Sequence, residues 1–510
     1  MNFRKDTHPL TLRSDWLELV RKYQDQDPAV FALRYGGKKE GSMMDGGKET
    51  GLPVKEIAEQ IRCYPRAGVK LGPMHRPGMI YRKEALEQAS GYATAVFRAR
   101  RWLSRLAGES LNDRSADETV KQTGFRSVSA TDTPGEHLAG AETGTPLVAD
   151  LTGGLGIDTA GWALGGARVI CGEKDGVLVD VARHNHHLLK IDDRITYFRG
   201  DAAQWLQACA SGTEPEPDLL YLDPSRRVRD KRVIFLEESE PSIPEILPLI
   251  RAATSRYLIK LSPMIDITRL EKQLTDCHEI TVVSAGREVK ELLADCRTER
   301  SSDDKYERGA ISAEKPHEVF PVNETTDAGR VLRRAVLLNR SGEVVFEAAS
   351  TGKYQTGYVR FEEPDFIKVE PETQAIDASE GLSAENYLFD PDPALFKADL
   401  VDVVAGHFGL RRINPGIGYL TGPRDLPGFP GHRYQIRRIH PYKPKKMRRY
   451  LLGNGIRKVH IHQRGFPVTV NQLYRKLDCT MGEDAHLIAT MDHSGACVII
   501  ISDIKSGSAL

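Results

Sequence analysis

Asp150, Glu173, Asp201 and Asp223 each follow a short apolar run, and each stands where the chain leaves that run for a polar or glycine-rich segment. The first opens Asp150-Leu-Thr-Gly-Gly-Leu-Gly156. A glycine turn of this kind lets the backbone approach a nucleoside closely. A dinucleotide fold asks for G-x-G-x-x-G/A, but Gly154-Leu-Gly156 runs into Ile157, Asp158 and Thr159, so the third small position fails. What fits is acidic-x-x-x-G-x-G, with the acid on the strand tip. An acid there repels a pyrophosphate and welcomes a cationic amine or sulfonium. Glu173 lies twenty-three residues after Asp150, where a carboxylate can accept from both hydroxyls of a ribose. In Arg199-Gly-Asp201-Ala202, the acid can accept an adenine 6-amino proton while the N–H of Ala202 serves a ring nitrogen. Taken singly, each acid is more often a helix cap or a solvated loop residue than a ligand contact. Four of them at the carboxyl ends of four successive strands read as a ligand rim.

The elements that must position them follow from the pattern. Strands are expected at Leu147–Leu151, Arg168–Cys171, Ile195–Phe198, Leu219–Leu222, Tyr257–Leu261 and Ile280–Val283. Helices are expected between them at Ile157–Leu164, Val177–Leu189, Ala202–Ala210, Ile243–Ala253 and Ile267–Leu274. Strands separated by helices imply βαβ units and a parallel sheet, an α/β fold. Before this block, residues 1–107 read as helical, above all Leu10–Tyr23 and Arg82–Leu106. Gly36–Gly51 and residues 108–145 read as loop and linker. The α/β core takes 146–296. Residues 297–385 hold a polar insert and a small β-rich module with a hairpin turn at Asn339–Gly342, and 386–510 form a mixed α and β module.

These residues resemble the class I methyltransferases of the Rossmann-like type, and most closely a bacterial group with a C-terminal THUMP-like domain. The resemblance is carried by Leu86-Glu-Gln-Ala-Ser90, Asp150-Leu-Thr-Gly-Gly-Leu-Gly-Ile-Asp158, Tyr221-Leu-Asp-Pro-Ser-Arg-Arg227, Lys260-Leu-Ser-Pro-Met264 and Glu288-Val-Lys-Glu-Leu-Leu293. It implies an S-adenosylmethionine-binding core, with Asp150, Thr152, Gly154, Gly156, Glu173, Asp201 and Ala202 toward the cofactor. A ferredoxin-like module and a THUMP-like module would follow. THUMP domains elsewhere accompany enzymes that modify tRNA and rRNA.

Methyl transfer is an in-line displacement, so the enzyme mainly aligns nucleophile and donor. Amino-group methyltransferases of this type carry Asp/Asn-Pro-Pro-aromatic after the fourth strand. Here Asp223 and Pro224 remain, but Ser225 and Arg226 replace the second proline and the aromatic. Asp223, Pro224 and Arg226 are the candidate catalytic residues, with Asp223 polarising an amine of a tRNA or rRNA base and Arg226 stacking on the base. Equally, Arg226 and Arg227 could bind phosphate or pair with Glu237 or Glu238. Lys260 and Ser262 read as substrate contacts or as strand-end polar residues.

Lys+Arg and Asp+Glu balance at 71 each, yet residues 432–476 hold thirteen Lys/Arg and no acid. Solvated faces usually mix signs, so this run points to a polyanion. Its candidate RNA contacts are Arg437, Arg438, Lys443, Lys445, Lys446, Arg448 and Arg449, interleaved with Tyr442 and Tyr450 as stacking rings. His460 and His462 share a strand face without a third ligand, so no metal site is expected. Seven scattered cysteines without Cys-x-x-Cys fit a reducing cytosol. No apolar run reaches the roughly 18 residues that span a bilayer. The rival readings are a methyltransferase of a small molecule or protein, and an RNA-binding protein that has lost catalysis.

Overall fold

The computed structural model describes residues 14–36, 42–45, 48–51, 53–110, 144–226, 236–298, 331–351, 357–361, 367–369, 386–414 and 416–504. The linker at 108–145, the insert at 297–330, Arg227 and the Arg226 side chain fall wholly or almost wholly outside the described residues. The chain divides into two compact units, Met1–Cys277 with Leu293–Asn323, and His278–Leu292 with Glu324–Leu510.

The first unit begins with α1 (Ser14–Tyr23), α2 (Pro28–Gly36), an antiparallel pair β1 (Ser42–Asp45) and β2 (Lys48–Gly51), α3 (Val54–Leu71), α4 (Lys83–Gln88) and α5 (Tyr92–Ser110). In α3, Ile57, Ile61, Tyr64 and Leu71 recur at helical spacing and are all buried. Two differences from the sequence reading appear here. The stretch read as a loop at 36–51 contains the antiparallel strand pair β1–β2. The single helix read at Arg82–Leu106 is two, because Ala89 turns extended (φ −56°, ψ 153°) and breaks the run before Ser90. That break points a buried Ser90 inward.

The alternation beyond Pro146 becomes β3 (Leu147–Asp150), α6 (Ile157–Leu164), β4 (Arg168–Glu173), α7 (Gly176–Leu188), β5 (Ile195–Arg199), α8 (Ala202–Ala210) and β6 (Leu219–Leu222). A short ladder, β7 (Ser225–Arg226) with β8 (Ser239–Glu240), precedes α9 (Ile243–Ala253), β9 (Arg256–Leu261), α10 (Ile267–Gln273), β10 (Cys277–Ala285) and β11 (Glu288–Arg297). The spatial order is β11-β9-β6-β3-β4-β5, with β3 parallel to both β4 and β6. The chain winds outward through β4 and β5 and then restarts at β6 on the other side of β3. The crevice where ligands bind in open α/β sheets therefore lies over the carboxyl ends of β3 and β6.

Two glycines set the backbone around that crevice. Gly156 has φ +80°, and a Cβ on it would lie 2.6 Å from His186 Nε2 on α7. Gly161 lets α5 approach α6 so closely that a Cβ there would lie 3.0 Å from the Ala95 carbonyl. Farther along α5, the Trp102 indole N–H (2.9 Å) and Arg105 (2.8 Å) both donate to Asp295 on β11.

In the second unit, β10 runs parallel to β12 (Leu332–Leu338), and β13 (Val344–Ser350), β14 (Gly357–Arg360) and β15 (Ile367–Val369) add antiparallel. Asn339 forms the hairpin turn, its side-chain oxygen accepting from Ser341 and Glu343 N–H. A fully buried Arg334 donates through two nitrogens to Glu279 (3.0 and 3.1 Å) and also to Glu347, which meets Arg360. The chain continues through β16 (Tyr387–Pro391), α11 (Pro393–Lys397), α12 (Val401–Phe408), β17 (Arg411–Asn414), β18 (Ile417–Gly422), β19 (Gly431–Pro441), α13 (Pro444–Gly453), β20 (Lys458–Gln463), α14 (Val470–Leu477), β21 (Thr480–Met491) and β22 (Cys497–Ile504). Its seven strands take the order β17-β18-β16-β19-β22-β21-β20. Helices α13 and α14 pack Met447, Leu451, Leu473 and Leu477 into a core with Val459, Leu487 and Ile501. No helix among the described residues is long and apolar enough to cross a membrane.

Gly156→Ala is expected to lower stability by at least about 1–2 kcal/mol from the left-handed backbone alone, with the His186 overlap adding to it. Gly166→Ala, at φ +100° with nothing within 4 Å of its Cβ, meets only the backbone penalty. Denaturant midpoints of the two variants should rank in that order.

Candidate active site

The glycine loop is held from three sides. Asp150 at the end of β3 is fully buried and accepts from the Thr159 hydroxyl (2.7 Å) and the Thr152 N–H (3.2 Å). The sequence placed this acid on the open rim. It is instead turned under the loop, because α6 packs Thr159 onto it. Burial, with help from the Asp158 charge, pushes its carboxyl up to about 7 against the pull of those two hydrogen bonds. Glu173 accepts from the Gly154 N–H (2.9 Å) and the Asp175 N–H (2.8 Å), so it ties the loop to β4 while staying half-buried. Asp201 is exposed and caps α8, accepting from Ala203 N–H (2.8 Å), while Gln204 returns an acceptor to the Asp201 N–H. Ala202 is buried in the first turn of that helix. A Cβ on Gly154 would meet only the Thr152 carbonyl, at 3.8 Å, so the loop crest is open. An open crest flanked by two carboxylates on the neighbouring strands fits a nucleoside.

Across the crevice, the Thr152 hydroxyl accepts the Asp223 N–H at 2.6 Å, joining the glycine loop to the end of β6. The Asp223 carboxylate meets Lys260 Nζ of β9 at 2.5 Å. The same ammonium donates to Ser90 Oγ (2.8 Å) and lies 3.6 Å from Asp158. Asp158, in the first turn of α6, also accepts from Arg98, Ser90 (2.9 Å) and the Tyr221 hydroxyl (2.8 Å). Burial pushes Asp158 up, but Arg98 and Lys260, helped by the two hydroxyls, outweigh it and hold the carboxyl well below its usual range. For Asp223, burial wins over the pull of Lys260, and the nearby Asp158 charge adds to the rise. Pro224 is half-buried beside it, and the Arg226 backbone pairs with Ser239.

The basic stretch is less segregated in space than in sequence. Arg433 is buried against Asp425, and Arg464 meets Asp390 at 3.0 Å. Arg437 meets Asp503 and Arg448 meets Asp478, each at 2.5 Å. Acids outside residues 432–476 thus fold back onto four of the thirteen cations, a pairing that no local count could reveal. Arg438 lies over the Tyr450 ring at 5.4 Å. Lys443, Lys445, Lys446 and Arg449 are exposed, with no ion pair to an acid among the described residues. Three of these project from the outer face of α13, whose inner face is Met447 and Leu451.

A THUMP domain-like family profile matches residues 431–503. An uncharacterized S-adenosylmethionine-dependent methyltransferase of Mycobacterium tuberculosis is 23% identical over 331 residues, 65% of this chain and 73% of the relative. A crystal structure from Porphyromonas gingivalis W83, assigned as a methyltransferase, superposes with a TM-score of 0.63 at 22% identity. It covers 96% of this chain and 98% of its own. The chain thus shares the fold of that Porphyromonas structure, and its residues 431–503 match a THUMP-like domain. Within that fold, sequence reasoning passed over Ser90, Arg98, Asp158 and Tyr221 as working residues and left Lys260 undecided. The available signal was an arginine set inside the apolar run Val96-Phe-Arg98-Ala99 and a lysine inside the apolar strand Tyr257–Leu261.

Folded Asp150 holds its proton more tightly than an unfolded aspartate does. Its contribution to stability is therefore full below about pH 4 and is lost as pH rises toward 7. In Asp150→Asn, the fall in unfolding free energy from pH 5 to pH 8 should be smaller than in the parent by about 2–3 kcal/mol. Denaturant titrations at the two pH values measure the difference, and equal slopes would exclude a raised carboxyl.

Proposed function

We propose that this S-adenosylmethionine-dependent methyltransferase acts on RNA, a tRNA or an rRNA, presenting the target nucleotide to Asp223 and anchoring the rest through its basic C-terminal surface. The bound cofactor supplies the methyl group. Glu173 holds the ribose hydroxyls, and Asp201 with the Ala202 N–H holds the adenine edge. Thr152, Gly154 and Gly156 give the low backbone over which the nucleoside lies. Asp150 keeps that loop in register from beneath, and Asp223 accepts a proton from the target.

The observation that carries the RNA reading is the outer face of α13. Lys445, Lys446 and Arg449 are exposed there without acidic partners among the described residues, inside the THUMP-like span. Arg438 over Tyr450, with Lys443 nearby, extends the cationic surface beside an aromatic ring. Such cations hold phosphates, and a half-exposed tyrosine can stack an unpaired base. Arg437 and Arg448 contribute by exchanging an exposed carboxylate for phosphate, a trade of little cost at the surface.

Two variants separate the two halves of the molecule. Glu173→Ala should weaken adenosylmethionine binding by about tenfold to a hundredfold, through loss of charged hydrogen bonds, and leave RNA affinity in place. Lys445→Ala/Lys446→Ala/Arg449→Ala should do the reverse and reduce the salt slope of RNA binding by about 0.7 per lost single-strand phosphate contact. Calorimetry with the cofactor and filter binding of total bacterial RNA at several salt concentrations read both. Salt-independent or absent RNA binding by the parent would turn the reading toward a small-molecule or protein substrate.

A further inference from the structure

Lys260 stands one residue before the end of β9, beside β6, and its ammonium reaches Asp223, Ser90 and Asp158 together. We propose that the atom methylated is an oxygen, the 2′-hydroxyl of an RNA nucleotide, with Asp223 as proton acceptor and Lys260 as the residue that positions it and favours negative charge on the nucleophile. The oxygen follows from the surroundings of Asp223, and the ribose rests on the RNA reading above.

Three observations carry this. The first is charge. When a neutral amine attacks a sulfonium methyl, positive charge arrives on nitrogen before its proton leaves. A group donating to Asp223 lies within one or two hydrogen-bond lengths of the Lys260 ammonium, which opposes that charge in a partly buried setting. A hydroxyl sheds its proton as it attacks, and the same cation stabilises the negative charge that gathers on oxygen. The second is acceptor capacity. One Asp223 oxygen is taken by Lys260, which leaves a single carboxylate oxygen to receive a single O–H. The raised affinity of Asp223 for protons makes it a better base than an ordinary aspartate. The third is the missing platform. Ser225 and Arg226 stand where amino-group enzymes of this type carry proline and an aromatic. A base need not be stacked in the pocket when the sugar is the target, and the 2′-hydroxyl projects from the shallow minor groove of RNA.

The step balances within the known chemistry. The O–H bond breaks with its proton passing to Asp223. The O–CH3 bond forms as the S–CH3 bond breaks, the electron pair staying on sulfur. The products are the 2′-methyl ether and S-adenosylhomocysteine, and the Asp223 proton then leaves to solvent. Arg98 and Ser90 do not touch the substrate in this scheme. They neutralise and orient Asp158, which in turn keeps Lys260 charged and in place.

The full-length protein, total bacterial RNA and tritiated-methyl adenosylmethionine test this directly. A 2′-methyl ether blocks the neighbouring-group attack by which alkali cuts RNA. Label in alkali-stable dinucleotides is the expected result. Label in mononucleotides carrying a methylated base overturns the oxygen assignment and leaves the RNA reading intact. No label in RNA overturns the RNA reading and the ribose with it. Lys260→Met should cut labelling by about a hundredfold while cofactor affinity, read by calorimetry, stays within about twofold. With Asp158, Asp150 and Arg98 left beside Asp223, the acid limb of its residual rate should move up by about one pH unit. Lys260→Arg should restore part of the rate and return the limb. An unmoved limb in Lys260→Met, or an Arg variant no better than Met, overturns the role given to Lys260.

Discussion

Charge neutrality inside the crevice is the constraint on which the first unit depends. Asp150, Asp158 and Asp223 lie near one another, the first two buried or nearly so and Asp223 partly exposed, and Arg98 and Lys260 face them as cations. A buried charge left without its partner costs several kcal/mol, more than most packing contacts return. The fold meets this by sharing. Asp158 is held ionised by two cations and two hydroxyls, Asp150 is pushed toward its neutral form, and Asp223 is shifted in the same upward direction against the pull of Lys260. The two cations arrive from opposite directions, one on α5 and one on β9, so the balance exists only when helix, loop and sheet are assembled together.

The same arrangement stiffens the rim. A continuous chain of hydrogen bonds runs from Thr159 through Asp150 and Thr152 to the Asp223 backbone, and from Glu173 to Gly154. Residues that would contact a nucleoside are thereby fixed by residues that would not, which is what a reaction dependent on in-line alignment requires. The basic helix of the second unit follows a looser rule. Its cations are exposed, and among the described residues Arg448 meets Asp478 while Lys445, Lys446 and Arg449 meet no acid.

The sheet was legible because its signals are local. Apolar runs separated by helical stretches marked β3, β5, β6 and β9 to within a residue, β4 to within two, and α6, α8 and α9 to the residue, while the short β7 and β8 went unread. Asp201 showed its plainer face, since a helix cap and a rim carboxylate occupy the same position on the chain. What escaped was set by contacts distant in sequence. The inward turn of Asp150 depends on Thr159, the meaning of Lys260 on Ser90, and the neutralisation of Arg437 and Arg448 on Asp503 and Asp478. The break at Ala89 was hidden by apolar spacing that continues across it.

The docking of α5 has a practical consequence for anyone seeking a minimal version of this enzyme. A fragment starting just ahead of β3 would retain the glycine loop, Asp150, Glu173, Asp201, Asp223 and Lys260, and would satisfy any motif search. It would also lack Arg98 and Ser90, bare the α6 surface that Ala95 and Leu103 cover, and leave Asp295 without its indole and guanidinium. Such a fragment would carry every recognisable signature yet remain incomplete, because the N-terminal helices are a wall of the crevice and not an appendage to it.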